Sequence, residues 1–465
     1  MTSVLVIGDV GAARAVRHVG DEAMTQAAIR ELRARGDYQL TVVSSLPEDT
    51  AALYGVGSVR RPGTPRGSDE SRRTRREALE SAALRSSLLP GTDPAWDFVR
   101  ALDAADAVLV AGGGNLTSLW PSFMDERLVA ARVARAAGKP VVITGQTIGP
   151  ALSGHDRELV RELLAQADVV GLREQTSFDL AASLMTSPAT LRRTVDDASF
   201  LPGTPVGEFP DGVSSTRPYV LATFQYANES QAFLKSIPHI ARLLDAIARR
   251  CEADVVFVPH LGAIGLVTGH DSDAHQAITS HLASPYRILP VQSNEVSIAL
   301  ARDAVASVSN RYHPAVFASA NGRPAITISH DDYTEAKFTG VLRNFGVADL
   351  SLPIFAVSSL DVADWAAEVV KAWERDEDLI GQRRAENQKW WDEVHARLSR
   401  APVSEFAALD SARWIPADQR ELIPPELRER VTRWRAALPS GGTPPTPPYL
   451  VLKAVRFVRR LLRRA

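Results

Sequence analysis

The sequence predicts an α/β protein with two doubly wound, Rossmann-like domains that face one another across a cleft. Three observations lead to this prediction. In residues 1–203, short and wholly apolar runs alternate with segments of helical periodicity, which is typical of a parallel sheet with helices on both faces. A turn-rich segment at 202–218 interrupts this alternation, which starts again beyond it. The chain has 465 residues, too many for one hydrophobic core.

The first predicted domain covers residues 1–203. Its apolar runs have the length of buried strands and lie at 4–7, 40–43, 107–111, 141–144 and 169–172. Between them, apolar residues recur at helical spacing, at 22–35, 127–137 and 156–167. The insert at 60–76 is rich in Arg, Pro, Gly and Ser, so we expect a surface loop there.

The second predicted domain covers residues 218–355. Its apolar runs lie at 219–223, 255–258, 287–289, 304–308 and 325–328, with helical patterns at 237–250 and 296–301. Two successive domains of this kind place a cleft between their sheet edges, where open α/β sheets bind ligands. The arrangement resembles the architecture of B-type glycosyltransferases, abbreviated GT-B. A Trp-rich helical extension at 356–439 and a semi-rigid Gly/Pro linker at 440–448 follow.

The last segment, 449–465, has the pattern of a basic amphipathic helix. Its apolar residues fall in one arc at helical spacing, apart from Leu452. Its basic residues fill the other arc, and they are Lys453, Arg456, Arg459, Arg460, Arg463 and Arg464. Such a helix suits an anionic membrane surface, so we expect a protein that is peripheral on the inner face of the cell membrane. The alternative is a basic helix docked on the remaining, acidic part of the same chain.

Composition excludes some classes of protein and compartment. The formal net charge is −2, which gives no reason to expect a nucleic-acid partner. The single cysteine, Cys251, cannot form an internal disulfide, which fits a reducing cytoplasm. We interpret it as a packing residue rather than a nucleophile. We expect neither a signal peptide nor a membrane-spanning helix.

The strongest chemical signal is the segment 309–314, which follows the apolar run at 304–308. Arg311 offers a planar fork for a carboxylate or phosphate, and His313 titrates near neutrality and can carry a proton. Both follow a predicted strand directly, so they can face the same opening at the sheet edge. The alternative is an Arg in a surface ion pair and a His that caps the next helix.

Other polar groups stand at or near predicted strand ends or helix starts. Arg173 ends the run at 169–172, with a solvated Arg as the alternative. Asp21 opens a helix, either as its N-cap or as a cleft carboxylate that contacts a sugar hydroxyl or acts as a base. Lys337 could meet a phosphate or be a solvated helix residue. The remaining candidates for cleft loops are Gly20, Glu22, Gly113, Gly114, Asn115 and Gln146.

A cluster of metal-ligand residue types in the second domain has an ambiguous pattern. It contains His260, His270, Asp271, Asp273 and His275. Their spacing matches no established ligand pattern, and the segment also reads as a turn before a helix. We therefore expect no metal ion.

An ordered set of motifs gives this chain a resemblance to the polysaccharide pyruvyl transferase family. The motifs are Gly-Asp-Glu-Ala at 20–23, Gly-Gly-Gly-Asn at 112–115, Gly-Gln-Thr-Ile-Gly-Pro at 145–150, Arg-Glu-Gln-Thr-Ser at 173–177, Asp-Asp-Ala-Ser-Phe at 196–200, Ser-Asn-Arg-Tyr-His at 309–313, Gly-Arg-Pro at 322–324 and Lys-Phe at 337–338. The resemblance covers about residues 3 to 345. The sequence departs from the family pattern in the loop at 8–19 and at 330–333, and these departures concern the acceptor more than the chemistry.

The resemblance implies transfer of pyruvate from phosphoenolpyruvate to two hydroxyls of one sugar, with a ketal and phosphate as products. Phosphoenolpyruvate carries a carboxylate and a phosphate, so Arg311, Arg173 and Lys337 are the expected donor-binding residues. His313 and Asp21 are the expected catalytic residues, and no cofactor is expected. The acceptor would be a cell-surface polysaccharide or its lipid-linked oligosaccharide precursor.

Two other functions fit the sequence. A GT-B glycosyltransferase that uses a nucleotide-sugar would share the fold and the Arg/His site, with Asp331 or Asp332 available for a ribose. A non-catalytic protein that binds an envelope polymer would keep the fold with a decayed site.

Overall fold

The structure is a computed structural model that describes residues 1–11, 17–65, 67–85, 88–186, 190–204, 217–226, 231–263, 265–266, 270–401 and 414–440. The strands of these residues are β1 (Thr2–Ile7), β2 (Arg17–His18), β3 (Tyr38–Ser44), β4 (Gly57–Arg60), β5 (Ala107–Val110), β6 (Gly113–Leu116), β7 (Val141–Ile148), β8 (Val169–Leu172), β9 (Leu191–Arg193), β10 (Tyr219–Thr223), β11 (Asp254–Phe257), β12 (Leu261–Gly262), β13 (Tyr286–Ile288), β14 (Ala306–Ser309), β15 (Ala325–Ser329) and β16 (Ser351–Pro353).

The helices alternate with these strands through most of the chain. They are α1 (Val19–Arg35), α2 (Pro47–Tyr54), α3 (Asp69–Ala83), α4 (Trp96–Ala104), α5 (Pro121–Ala136), α6 (Gly154–Gln166), α7 (Gln175–Leu184), α8 (Gln231–Cys251), α9 (His270–Thr279), α10 (Asn294–Asp303), α11 (Tyr312–Ala320), α12 (Asp332–Asn344), α13 (Leu360–Lys371), α14 (Glu377–Ser399) and α15 (Pro425–Ala436).

The first sheet is parallel, in the order β4-β3-β1-β5-β7-β8-β9, and β6 also pairs with β7. Every residue of β5, β7 and β8 is buried, as expected of strands covered by helices on both faces. The chain direction across the sheet reverses between β1 and β5. The loops that follow these two strands therefore lie at a topological switch point, where such sheets bind ligands.

The second sheet repeats this design in the order β13-β11-β10-β14-β15-β16, again with parallel pairs. Its switch point lies between β10 and β14. There the backbone N–H of Asn310, just beyond β14, donates to the carbonyl of Thr223 at the end of β10. The segment 309–314 thus leaves the second sheet at its switch point. Together the two sheets confirm the prediction of two doubly wound domains.

A short strand pair and a returning helix both help to join the two halves of the described chain. The short strands β2 and β12 pair antiparallel between the two halves of the chain, and the N–H of Val19 donates to the carbonyl of His260. After α13, helix α14 returns to the first sheet, where it contacts β1, β5 and β7. Its Trp390 and Trp391 belong to a core cluster with residues of β1 and β3. Part of the predicted helical extension therefore completes the first half of the fold, and the predicted domain limits remain predictions.

The prediction of a surface loop at 60–76 is wrong from Asp69 onward. Arg60 ends β4, and residues from Asp69 onward form α3, whose N-cap is Ser68. The helix forms because its arginines are used inside the protein: Arg72 is 2% exposed and donates to the buried carboxylate of Asp125 at 3.1 Å. The sequence of an Arg-rich segment suggests that its side chains are solvent-exposed. In this protein, ion pairs allow those side chains to be buried.

Three predicted segments lie wholly or mostly outside the described residues. These are most of the turn-rich segment at 202–218, nearly all of the Gly/Pro linker at 440–448 and the whole basic segment at 449–465. Within the described ranges, no helix combines the length and apolar character that crossing a membrane requires.

Candidate active site

The candidate active site lies between the strand ends of the two sheets. Arg173 follows β8 of the first sheet, and His313 lies four residues beyond β14 of the second. Both approach one oxygen of Asp196. Asp196 Oδ2 accepts a hydrogen bond from Arg173 Nη1 at 2.5 Å and lies 3.8 Å from His313 Nε2. One buried carboxylate oxygen therefore connects a cation of the first half of the chain with an imidazole of the second.

The imidazole of His313 packs directly on Gly20, in the first turn of α1. A Cβ built on Gly20 would lie 1.7 Å from His313 Nδ1 and 2.1 Å from its Cγ. A side chain at position 20 would therefore displace the ring. The Gly-Asp-Glu-Ala motif thus meets the Ser-Asn-Arg-Tyr-His motif because glycine lets the helix backbone touch the imidazole.

We expect Gly20→Ala to lower turnover by about ten- to a hundredfold, because displacement of a reacting group by about 1 Å costs on the order of a hundredfold. The measurement is the rate of phosphate release from phosphoenolpyruvate. Gly154→Ala is the matched control, since a Cβ there meets no described atom within 4 Å. Equal rates for the two variants would contradict the close packing of His313 on Gly20.

His313 is neutral in the free site near neutral pH. Burial lowers its pKa well below the ordinary value, and the nearby cations Arg173 and Lys337 lower it further. Its Nε2 is buried without a hydrogen-bond partner among the described residues. Helix α11 has Arg311 as its N-cap, with no side-chain cap bond, so the alternative that His313 caps this helix is wrong. The ring is therefore free to exchange a proton with a ligand.

Arg173 is 1% exposed, so the alternative of a solvated Arg is wrong. Its Nε donates to Thr147 Oγ1 at 2.8 Å and to Glu174 Oε1 at 3.1 Å, and its Nη1 donates to Asp196. The guanidinium carbon lies 4.5 Å from the centre of the Tyr312 ring. Its Nη2 has no partner within the described part of the chain. The side chain is fixed on three sides and presents one unused donor.

That unused donor faces Gly114, together with Lys337. A Cβ built on Gly114 would lie 2.8 Å from Lys337 Nζ and 3.1 Å from Arg173 Nη2. Lys337 Nζ also lies 4.7 Å from the Tyr312 ring centre and donates to Tyr333 Oη at 3.3 Å. The hydroxyl of Tyr333 in turn donates to the Gly114 carbonyl. Two cations from different halves of the chain thus converge on a glycine backbone, an arrangement that can bind an anion.

Asp21 lies in the first turn of α1, half-buried, with its Oδ2 3.6 Å from His18 Nδ1. It is not the N-cap, which is His18, so that alternative is wrong. Burial and the neighbouring Asp9 raise the pKa of Asp21 above its ordinary value, while Lys337 and Arg173 oppose the increase. Asp21 is therefore a carboxyl close to both cations and poised to exchange a proton.

Two other predicted cleft residues, Glu22 and Gln146, brace the loops. Glu22 is buried and accepts from the Gly11 N–H at 3.1 Å and from the Tyr54 hydroxyl. Gln146 is fully buried and donates from Nε2 to the Ala111 carbonyl at 2.6 Å. A Cβ built on Gly113 would lie 3.0 Å from Asn115 Oδ1. These contacts indicate supporting roles for Glu22 and Gln146.

The role of the carboxyl pair Asp196–Asp197 was missed by sequence reasoning. Asp196 lies in a recognised motif, but sequence gives no sign that it joins Arg173 to His313. Asp197 Oδ2 accepts from the Gly112 N–H at 3.0 Å and from Thr144 Oγ1 at 2.5 Å, so it fixes the glycine turn beside the site. Burial raises the pKa of Asp197 to about 7.

Asp197 should make the protein less stable as the pH rises. Between about pH 4, the ordinary pKa of Asp, and about pH 7, the folded chain binds more protons at Asp197 than the unfolded chain does, so the free energy of unfolding falls. We expect the free energy of unfolding of Asp197→Asn to rise relative to that of the wild-type protein across that interval. The rise is up to about 4 kcal/mol, at roughly 1.4 kcal/mol per pKa unit. Urea unfolding at both ends of the interval measures this difference. A difference in the free energy of unfolding between the two proteins that does not change with pH would contradict this prediction.

Arg311 lies in the second half of the chain, near His313. One of its terminal nitrogens donates to Asp271, which is fully buried and also accepts from the His260 N–H at 3.0 Å. The side chain of Arg311 is 17% exposed, so it pairs at the cleft rather than on the open surface. Among described residues, no group of His, Cys, Asp or Glu has the geometry of a metal site.

Comparison with protein families identifies a family for this chain. The model of the family described as polysaccharide pyruvyl transferase matches residues 18–332. This range contains the Gly20, Arg173, Asp196 and His313 positions described above.

Solved structures of similar fold are distant in sequence. UDP-GlcNAc 2-epimerase from Neisseria meningitidis, bound to UDP-GlcNAc, is 13% identical with a TM-score of 0.52, over 86% of this chain and 100% of that one. UDP-GlcNAc 2-epimerase from Methanocaldococcus jannaschii is 10% identical with a TM-score of 0.51, over 81% of this chain and 94% of that one. At such identities the likeness concerns the fold, and it confirms the GT-B-like architecture.

Proposed function

Because this chain belongs to the polysaccharide pyruvyl transferase family, we propose that it transfers pyruvate from phosphoenolpyruvate to two hydroxyls of one sugar as a ketal. The acceptor is a cell-surface polysaccharide or its lipid-linked oligosaccharide precursor. The observation that carries the proposal is the convergence of Arg173 Nη2 and Lys337 Nζ on Gly114, beside His313. An anion site beside a proton carrier is what transfer from phosphoenolpyruvate would require, and this convergence supports it.

The donor has two anionic groups, and the cleft has two cationic positions. Arg173 and Lys337 form the first, and Arg311 forms the second. Charge-assisted hydrogen bonds from Arg suit both carboxylate and phosphate. With one anionic group at each position, C2 of the donor lies between them, close to His313.

His313 and Asp21 then carry the protons. C3 of phosphoenolpyruvate gains a proton, which makes C2 an electrophile. The first sugar hydroxyl adds to C2 and loses its proton, the C2–O bond to phosphate breaks, and the second hydroxyl adds and loses its proton to close the ketal. Of the two hydroxyl protons, one balances the proton at C3 and the other leaves with phosphate. His313 donates to C3 after donor binding raises its proton affinity, and Asp21 accepts from a hydroxyl.

The structure offers less for the nucleotide-sugar alternative. Asp331, a candidate for ribose binding, is the N-cap of α12, where its Oδ1 accepts from the Thr334 N–H at 2.7 Å. That carboxylate already has a structural use.

A ligand screen by thermal unfolding tests the proposal. A ligand that binds only the folded state stabilises it, by about 2.7 kcal/mol at a hundred times its Kd. We expect phosphoenolpyruvate to raise the midpoint of unfolding and UDP-sugars to leave it unchanged. Stabilisation by a UDP-sugar alone would support the glycosyltransferase. No response to either would support a non-catalytic polymer-binding protein.

We also propose that residues 449–465 bind the inner face of the membrane. The last described residues before this segment lie beside the helix that carries Lys337, since the Pro439 carbonyl accepts from the N–H of Asp332 at 3.2 Å, at the start of that helix. A membrane-bound tail would bring the cleft to a lipid-linked acceptor.

We expect the full chain to float with anionic vesicles at low salt and a chain truncated before Tyr449 to remain in solution. Each basic residue near an anionic leaflet contributes about 1 kcal/mol, and added salt weakens this attraction. Vesicles of a neutral lipid are the control. Equal flotation of both chains, or of neither, would show that the segment is not an anchor.

A further inference from the structure

We propose that His260 and His330 complete, with Arg311, the subsite that takes the phosphate group of the donor. This inference rests on the proposed function and assigns an orientation to phosphoenolpyruvate. Its phosphate lies among Arg311, His260 and His330, and its carboxylate lies between Arg173 and Lys337.

The topology brings the three side chains of this phosphate subsite to one edge. His260 follows β11, Arg311 follows β14, and His330 follows β15 directly. These strands flank the switch point of the second sheet, where its loops separate and leave room for a ligand. Arg311 is close enough to both imidazoles to affect their titration.

Each side chain presents a buried nitrogen that lacks a hydrogen bond in the described structure. These atoms are Arg311 Nε, His260 Nε2 and His330 Nδ1. His260 is 5% exposed, so water does not readily satisfy its nitrogen. Buried polar groups are nearly always paired, so two unpaired imidazole nitrogens near a guanidinium that has an unpaired Nε of its own are a sign of an unoccupied polar site.

The subsite is rigidly built. Asp271 accepts from Arg311 through one oxygen and from the backbone of His260 through the other. His275, fully buried beside them, accepts at Nε2 from the Phe224 N–H at 2.9 Å. The rings of His260 and His313 lie 6.0 and 5.9 Å from that of Phe317. Arg311 and the loop of His260 are thus held by one carboxylate, as a preformed site requires.

The number of donors distinguishes the two ends of the ligand. A carboxylate has two oxygens, which suit the single free nitrogen of Arg173 and the ammonium of Lys337. A phosphate monoester has three terminal oxygens, which suit the three nitrogens of the phosphate subsite. Helix α11 starts at this point with no side-chain cap, and helix N-termini attract anions.

The charges around the subsite imply that binding takes up protons. Burial and Arg311 lower the pKa of His260 and of His330, and Asp331, 3.6 Å from His330 Nε2, opposes the effect at His330. The other titratable neighbours are Asp271, His275 and His313. Both imidazoles are mainly neutral in the free site, and a dianion beside them raises their proton affinity.

Titration calorimetry with three probes tests the subsite: phosphoenolpyruvate, inorganic phosphate and pyruvate. We expect His330→Asn and His260→Asn to weaken binding of phosphate and of phosphoenolpyruvate roughly tenfold, the effect of losing one charge-assisted bond. Pyruvate affinity should stay at the wild-type value. Lys337→Met should show the reverse, with weaker pyruvate binding and unchanged phosphate binding. Paired titrations in two buffers measure the number of protons taken up on binding. This number should be smaller for His330→Asn than for the wild-type protein.

The outcomes separate this inference from the function on which it rests. Three results would overturn the phosphate subsite. A folded His330→Asn variant could bind phosphate with wild-type affinity, or it could lose pyruvate binding to the same extent as phosphate binding. The wild-type protein could also fail to bind phosphate. If the histidine variants behave as expected but phosphoenolpyruvate binds no better than phosphate, the subsite stands and the donor assignment fails. His395→Ala, at a histidine that contacts Tyr38 away from the cleft, is the control.

Discussion

His313→Ala should lower turnover by about 10²–10⁴-fold, the range typical of a lost general acid–base group. The reason is that His313 is the imidazole that lies against Gly20 and within 3.8 Å of Asp196, with a free nitrogen in the described site. The donor's anionic groups bind elsewhere, so we expect its affinity to change less than tenfold. Phosphate release gives the turnover, and calorimetry gives the affinity.

The same measurements on His395→Ala serve as the control for loss of a histidine far from the cleft. His395 pairs with the Tyr38 hydroxyl at 2.7 Å at the junction of β3 and α14. If His313→Ala keeps most of its turnover and loses affinity for phosphoenolpyruvate, His313 is a binding residue and not the proton carrier.

Replacement of Arg173 should affect stability and donor binding together. Arg173→Ala leaves the buried carboxylates of Asp196 and Glu174 without their partner, which typically costs about 3–5 kcal/mol. Arg173→Lys keeps the charge but loses the planar fork, and with it the nitrogen that faces Gly114. We expect this variant to bind phosphoenolpyruvate about ten- to a hundredfold more weakly. Urea unfolding and calorimetry measure the two effects.

Arg72→Lys is the matched control for Arg173→Lys. Arg72 is also buried and pairs with carboxylates, but it lies on α3, among the helices of the first half of the chain. Both lysine variants should lose stability, whereas the Arg72 variant should bind the donor normally. Normal donor binding by both would remove Arg173 from the site.

The strands were predictable because their apolar runs are continuous, as in β5 and β8. Strands such as β6 and β9 were not, since their sequences Gly-Gly-Asn-Leu and Leu-Arg-Arg lack that pattern. They form because neighbouring strands are already in place to pair with them. Tertiary context overrode local sequence in the same way at α3.

The site residues were predictable to a similar extent. Arg173, His313 and Gly20 stand at element ends, where position in an α/β fold indicates a ligand-facing role. The sequence did not reveal that Asp196 approaches both Arg173 and His313. That contact depends on the relative placement of three loops that lie far apart in the chain, which no local pattern records.

The measurement that tests the central claim most directly follows both products of the reaction in D2O. The protein is incubated with phosphoenolpyruvate labelled with ¹³C at C3 and with the envelope polymer and lipid fraction of a strain that lacks it. The account predicts phosphate and acceptor-bound pyruvate ketal in equal amounts, with one deuterium in each new methyl group. Release of phosphate without a ketal, or a labelled CH2 that never becomes a methyl group on the acceptor, would contradict it.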